Sequence, residues 1–384
     1  MKIDKICIYK VLLPFSGEFS HSLRKRVFTN NIVVEVIADG ATISGYGEGA
    51  PRRYVTGETQ ENAVKKLKYF IENSLFPWEL NNTYQIWEFL NILSDGKDDN
   101  SAICALEMSL LDILGRKQNR YITEYFPKTF FTDTIYYGGG VPLSSPSRKN
   151  EICRLIKKMN IKRVKLKMSK DIRENQETFE IAKQHFGDDY DLKVDVNGAW
   201  DYETALKHIP MLIKYKVRAV EQPMAPDDSN IEGFARSIKE NGIILMADES
   251  ACCLEEVKRL IKEDHYNMIN VRISKCGGFR RSLRIIDYLR DNNISFQIGC
   301  QLGETGLLSA AGRALSLLCG DAIYYDGSYD EFMLKENITS ENVSFGAGGK
   351  AGTLKGFGLG IEVSRQKLER LSDLPEKITI TRPD

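Results

Sequence analysis

The stretch Arg163–Asp171, RVKLKMSKD, decides how the rest of the chain is read. Val164, Leu166 and Met168 alternate with Lys165 and Lys167, and residues two apart on a β-strand share a face. Two ammonium groups therefore point the same way, and in a central strand that way leads into the core. Like charges at short range repel, so the arrangement calls for a reason elsewhere in the chain.

That reason recurs at a regular spacing downstream. Asp195 lies in VDVNGAW, Glu221 in VEQPM, Asp248 in MADES and Lys275 in NVRISKCGG, at successive steps of 28, 26, 27 and 27 residues from Lys167. Each step suits one strand and one helix. Short apolar runs (TIYYGGGV, RVKLKM, LKVDVN, RAVEQPM, IILMADES, MINVRIS, ISFQIGC and AIYYDG) alternate with amphipathic patterns such as DYETALKHIPMLIKY and FRRSLRIIDYLRDN. Eight strands in this rhythm predict a closed parallel (β/α) barrel over residues 131–345. Strand ends in such a barrel surround one mouth, where active sites are placed.

Three carboxylates at one mouth repel one another unless a cation neutralises them. All-oxygen ligands of this hardness suit Mg²⁺, with Mn²⁺ as a substitute, so Asp195, Glu221 and Asp248 are the expected metal ligands. Asn197, two residues beyond Asp195, faces the same way and would support the ligands from behind. Lys167 and Lys275 fall on opposite sides of the mouth. Lys165 would depress its neighbour's pKa, leaving Lys167 free to take the proton α to a carboxylate, while the cation stabilises the resulting enediolate.

Outside the barrel, residues 1–130 read as an α+β domain. KICIYKVLL and NIVVEVIA are its strands, joined by a polar loop with Ser16, His21, Arg24, Lys25 and Arg26, and SAICALEMSLLDILGRK is a helix. The glycine-rich FGAGGKAGTLKGFGLGIEV lacks the strand-to-helix setting of a phosphate loop, so residues 346–384 are read as a return to the first domain.

Composition narrows the partners. Lys plus Arg and Asp plus Glu both number 53, which leaves no net field for nucleic acid or an anionic membrane. The N-terminus mixes charge into its apolar pattern, unlike a signal peptide, and no apolar run reaches the roughly 20 residues of a membrane span. The eight cysteines show no C-x-x-C spacing and fit reduced thiols in a cytoplasm. Four histidines without metal-ligand spacing are read as structural.

Taken together, the K-x-K of VKLKM, the D-x-N of VDVNGAW, EQP, ADES and the lysine of SKCGG resemble the enolase superfamily, in its muconate lactonizing enzyme subgroup. YGEGAPRRYVTGET resembles that subgroup's mobile capping loop and LEMSLLDILGRK its capping helix, so the likeness spans nearly the whole chain. It implies an α/β fold, a modified TIM barrel (β/α)7β with an N-terminal capping domain completed by the C-terminal tail. It also implies metal ligation by Asp195, Glu221 and Asp248, acid/base roles for Lys167 and Lys275, and contact of Lys165 with a substrate carboxylate. Loops around residues 16–28 and 49–58 would close the site, with Arg24, Arg26, Arg53 and Tyr54 toward a small carboxylate-containing substrate. Barrels of this class often associate, so self-association joins the expectations.

Within the subgroup, RYVTGET is most similar to dipeptide epimerases, which hold the substrate ammonium with Asp-x-Asp on the last barrel strand. Here that strand reads IYYDGSYDEF: Asp326 fits the second acid, and Tyr324 stands in place of the first. Glu304, in GCQLGET, falls one place later than the family's pattern. Epimerisation or racemisation of a dipeptide or N-substituted amino acid is the expected reaction, with cycloisomerisation or β-elimination on the same residues as the alternative. A Schiff-base aldolase would also use a strand-end lysine, but leaves the three carboxylates without a purpose.

Overall fold

The computed structural model describes residues 1–21, 24–73 and 75–383, and their side chains except those of residues 17–26. The first domain comprises β1 (Ile3–Val11), β2 (Pro14–His21), β3 (Arg24–Phe28), β4 (Asn31–Ala38), β5 (Ile43–Gly49), α1 (Gln60–Asn73), α2 (Thr83–Asn91) and α3 (Asn100–Gln118). The segment expected to be a polar loop is thus an antiparallel hairpin, β2 pairing with β3.

Next come β6 (Thr134–Tyr136), β7 (Gly139–Val141), α4 (Pro146–Lys158), β8 (Arg163–Lys167), α5 (Ile172–Phe186), β9 (Asp191–Asp195), α6 (Tyr202–Lys214), β10 (Ala219–Glu221) and α7 (Ile231–Lys239). They are followed by β11 (Ile244–Ala247), α8 (Leu254–Glu263), β12 (Met268–Arg272), α9 (Phe279–Asp291), β13 (Ser295–Gly299), α10 (Gly306–Leu318), β14 (Tyr324–Tyr325) and the short α11 (Asp330–Met333). The tail adds β15 (Lys350–Gly352), α12 (Arg365–Arg370) and β16 (Ile378–Thr381).

Strands β7 to β14 form one parallel eight-stranded sheet in sequence order. It curls round until the Gly138 N–H donates to the Tyr325 carbonyl at 2.8 Å, joining the two ends. Seven long helices lie between the eight strands, the (β/α)7β arrangement. The opening stretch shows why β8 belongs here: Val164 and Leu166 are fully buried on the helix side, worth about 1.5–3 kcal/mol each, while Lys165 and Lys167 turn inward. Its last residue, Asp171, caps α5 by accepting the Arg173 N–H at 2.7 Å. TIYYGGGV, expected as one strand, divides at Tyr137: β6 pairs with β15 of the tail and only β7 enters the barrel.

The first domain's sheet has the order β16-β1-β4-β5, so the tail completes it. Helix α3 is buried from Asn100 to Gly115 because it packs closely on β5. The glycines of ISGYGEG recur every second residue and face it: a Cβ on Gly47 would lie 2.0 Å from the Ala105 carbonyl oxygen. Two buried carboxylates then dock the domain on the barrel. Glu107 of α3 accepts the Phe279 and Arg280 N–H groups that start α9, and Glu48 of β5 accepts from Thr305 and Leu308 at the start of α10. Helix N-termini leave such donors unpaired and favour anionic partners. No helix among the described residues is long and apolar enough to cross a membrane.

Candidate active site

Parallel register brings the inward residues of β8 and β9 side by side, Lys165 with Lys193 and Lys167 with Asp195, and places Glu221 of β10 next to Asp195. Lys167 Nζ lies 2.6 Å from Asp195 Oδ2 and 2.6 Å from Asn197 Oδ1. Lys165 Nζ lies 2.8 Å from Asp326 Oδ2, and 3.6 Å from both Asp195 Oδ2 and Glu221 Oε2. Burial alone would raise the Asp195 carboxyl, but Lys167 and Lys165 outweigh it and hold it at about 2. Although desolvation works against its charge, Asp326, Glu221 and Asp195 hold the Lys165 pKa well above the ordinary lysine value.

On the far side of the carboxylates, Lys275 lies three residues past the end of β12 and is fully buried. Its ammonium donates to the Asn270 carbonyl at 2.6 Å, the Asp248 carbonyl at 2.7 Å and Asp248 Oδ1 at 3.0 Å. Burial lowers its pKa. Arg272, at the end of β12, forms an ion pair with Asp248 Oδ2 and donates to Gln301 Oε1 at 2.8 Å. Asn197 also bridges Lys167 to Glu249, donating to Glu249 Oε1 at 3.0 Å. Burial first, and the Asp195 charge second, push the Glu249 carboxyl up to about 7.

A cavity of about 270 Å³ opens at this mouth. Lys165, Lys167, Asp195, Asn197, Glu304 and Tyr54 all line it, whereas Glu221, Asp248 and Lys275 are buried outside that lining. Burial pushes the Glu304 carboxyl up to about 8. Beyond the charged end, the wall is apolar, with Ile152, Leu155, Ile156, Met333 and Phe345 contributing.

Other expected site residues fall elsewhere. Tyr324 does not line the cavity: it is buried in the barrel interior, its hydroxyl donating to Asp191 at 3.0 Å, because β14 is only two residues long and Asp326 already lies beyond it. Asp326 is also absent from the lining, since Lys165 and Lys193 both hold its Oδ2 at 2.8 Å. Burial would raise this carboxyl, but the two lysines keep it well below the usual carboxylate range. Arg53 is exposed away from the cavity. Its neighbour Arg52 is fully buried, donating to Asn31 Oδ1 at 2.8 Å and the Leu302 carbonyl at 2.6 Å, and so ties the domains together. The side chains of Arg24 and Arg26 lie outside the described residues.

Three residues went unnoticed in the sequence. Lys193 was legible, since the alternation of KVD puts it on the face of Asp195, and Glu249 stood inside ADES. Arg272 carried no such sign.

Among the described residues, no three carboxylates, imidazoles or thiols stand close enough to hold an ion as they are placed. Lys165, Lys167, Arg272 and Lys275 engage them instead. The donor chemistry nevertheless fits a hard divalent cation. Glu221 Oε2 is buried with no hydrogen-bond partner, 3.6 Å from Lys165 Nζ, and it lies in register beside Asp195.

Comparison with known proteins identifies the family. Residues 148–367, more than half of the chain, match the family described as Enolase C-terminal domain-like. An N-succinyl-L-Arg/Lys racemase of Bacillus cereus is 26% identical over 324 residues, covering 81% of this chain and 83% of that protein. A hydrophobic dipeptide epimerase of Enterococcus faecalis is 24% identical over 321 residues, covering 82% and 87%. The crystal structure of the Bacillus cereus racemase superposes with a TM-score of 0.86 at 22% identity, over 99% of this chain and 100% of that one. The chain therefore belongs to the Enolase C-terminal domain-like family, and it is an enzyme of the enolase superfamily.

Proposed function

We propose that this protein is an epimerase or racemase that inverts the carbon α to a carboxylate, in a dipeptide or an N-substituted amino acid. The observation that carries the reading is the placement of Lys167 and Lys275 on opposite flanks of the carboxylate row Asp195, Glu221 and Asp248. Inversion requires a proton to leave one face and return to the other, and two flanking amines suit that requirement. The racemase and epimerases among the relatives support it.

In this reading Lys165 pairs with the substrate carboxylate and sets its orientation, while Lys167 exchanges the α-proton on the side of β8. Asn197 and Asp195 fix the Lys167 ammonium, and Tyr54 of the first domain helps exclude water from the cavity. Lys275 serves the opposite face, and gives up one of its three bonds to do so. Asp195, Glu221 and Asp248 would hold Mg²⁺, or Mn²⁺ in its place, which when bound neutralises charge gathering on the substrate carboxylate. The eight free thiols fit a reducing cytoplasm.

One observation favours a second reading. Lys167 lines the cavity and Lys275 does not, which suits one-base cycloisomerisation or β-elimination. Incubation with Mg²⁺ and a library of dipeptides and N-acyl amino acids in D₂O separates the two. Epimerisation puts deuterium into an inverted α-centre, and Lys167→Ala and Lys275→Ala each abolish the inversion. Loss of water or ring formation, with inversion nowhere in the library, would instead establish the one-base chemistry.

A further inference from the structure

Asp326 ends the last barrel strand, where a carboxylate could hold a substrate ammonium, but the protein supplies ammonium groups of its own. Lys193 rises from β9, fully buried, and reaches Asp326 Oδ2 at 2.8 Å while donating to Gln297 Oε1. Its Nζ also lies 4.8 Å from the centre of the Tyr324 ring, so the tyrosine offers its π face to the lysine. Lys165 contacts the same carboxylate oxygen at 2.8 Å. Two cations on one anion repel a third. When Lys165 turns to a substrate carboxylate, Lys193 still neutralises Asp326. The other oxygen, Oδ1, is buried beside Gly138.

Each carboxylate that does line the cavity already has a partner of its own. Asp195 is paired with Lys167 at 2.6 Å, Asp330 accepts from Asn337 at 2.7 Å, and Glu304, whose carboxyl burial raises, accepts from the Gln301 N–H at 2.6 Å. The cavity wall beyond is apolar.

We propose that Lys193 makes this site select substrates whose acyl portion carries no ammonium, that is, N-acyl amino acids in preference to dipeptides with a free amino terminus. The proposal rests on the epimerase reading above for the identity of the reacting carboxylate.

N-Propionyl-L-leucine and L-alanyl-L-leucine differ by one ammonium group, and calorimetry on the full chain with saturating Mg²⁺ compares them. The N-propionyl compound is expected to bind at least tenfold more tightly. Lys193→Met, which uncovers Asp326, should shift the ratio at least tenfold toward the dipeptide. The double variant Lys193→Met with Asp326→Leu removes both charges and should not gain the dipeptide, which keeps the test decisive even when the single variant fails to fold. Equal or tighter binding of the dipeptide by the natural chain, binding of neither ligand, or a dipeptide gain in the double variant overturns the proposal. α-Deuterium exchange is read separately: selective binding without exchange upholds the selectivity and refutes the epimerase reading.

Discussion

A single backbone position, Ser169, shows how the residues behind Lys167 hold it in place. The Ser169 N–H donates to Asn175 Oδ1 at 2.8 Å, and its carbonyl accepts from Asn175 Nδ2 at 2.8 Å and Trp200 Nε1 at 2.7 Å. Asn175 also meets His208 Nε2 at 2.8 Å, while His208 Nδ1 faces the Thr204 carbonyl at 2.7 Å. The ring must therefore be neutral, donating through Nδ1 and accepting at Nε2. Burial lowers its pKa accordingly, so its contribution to stability is present above the ordinary histidine value and is lost as pH falls below it. Asn175→Leu strands the Ser169 amide and His208 Nε2 in the interior. We expect a loss of about 2–4 kcal/mol in urea unfolding and slower α-proton exchange. A stability within about 0.5 kcal/mol of the natural chain would rule out this anchoring role.

At the scale of elements, helix α3 is the joint between domains, and its Glu107 carries charge chemistry into it. Burial pushes Glu107 up to about 7, as it does Glu48 on β5. In the unfolded chain a glutamate titrates at about 4.3. The folded protein then keeps protons that the unfolded chain has released, so stability from these groups is complete below about pH 4 and is lost as pH rises through about 7. Glu107→Gln should flatten part of this fall between about pH 4 and 7 in denaturant midpoints, and an unaltered slope would contradict it. Packing makes a harsher demand on the same joint. Gly47→Val puts a side chain where the Ala105 carbonyl oxygen stands, and should cost several kcal/mol or leave no folded protein. Recovery of a normally melting Gly47→Val variant would show that α3 can shift away from β5.

For the whole molecule, the chain closes on itself through its last forty or so residues. β16 supplies an edge strand to β1, β15 pairs with β6 at the entrance to the barrel, and the Gly358 N–H and carbonyl bond to Arg120 and Ile122 after α3. Removing residues 346–384 exposes the β1 edge and strips these partners, and unpaired strand edges are aggregation sites. The truncated chain is expected to be insoluble or to melt well below the full protein. Wild-type melting of a 1–345 chain would mean that the tail is an ornament.

The alternation of Lys165 and Lys167 and the regular step to Asp195, Glu221, Asp248 and Lys275 were enough to determine the barrel and its chemical mouth, because strand period and βα length are local properties. What only the tertiary structure decided is which groups neutralise one another. Lys193 and Asp326 stand 133 positions apart and meet across the barrel, Arg272 meets Asp248, and Lys275 sinks out of the cavity. Likewise Tyr324 turns inward to Lys193, and Arg52 ties two domains while Arg53 faces solvent. Ion pairing in a buried site depends on distances of a few ångströms between strands far apart in the chain, and no local pattern encodes them.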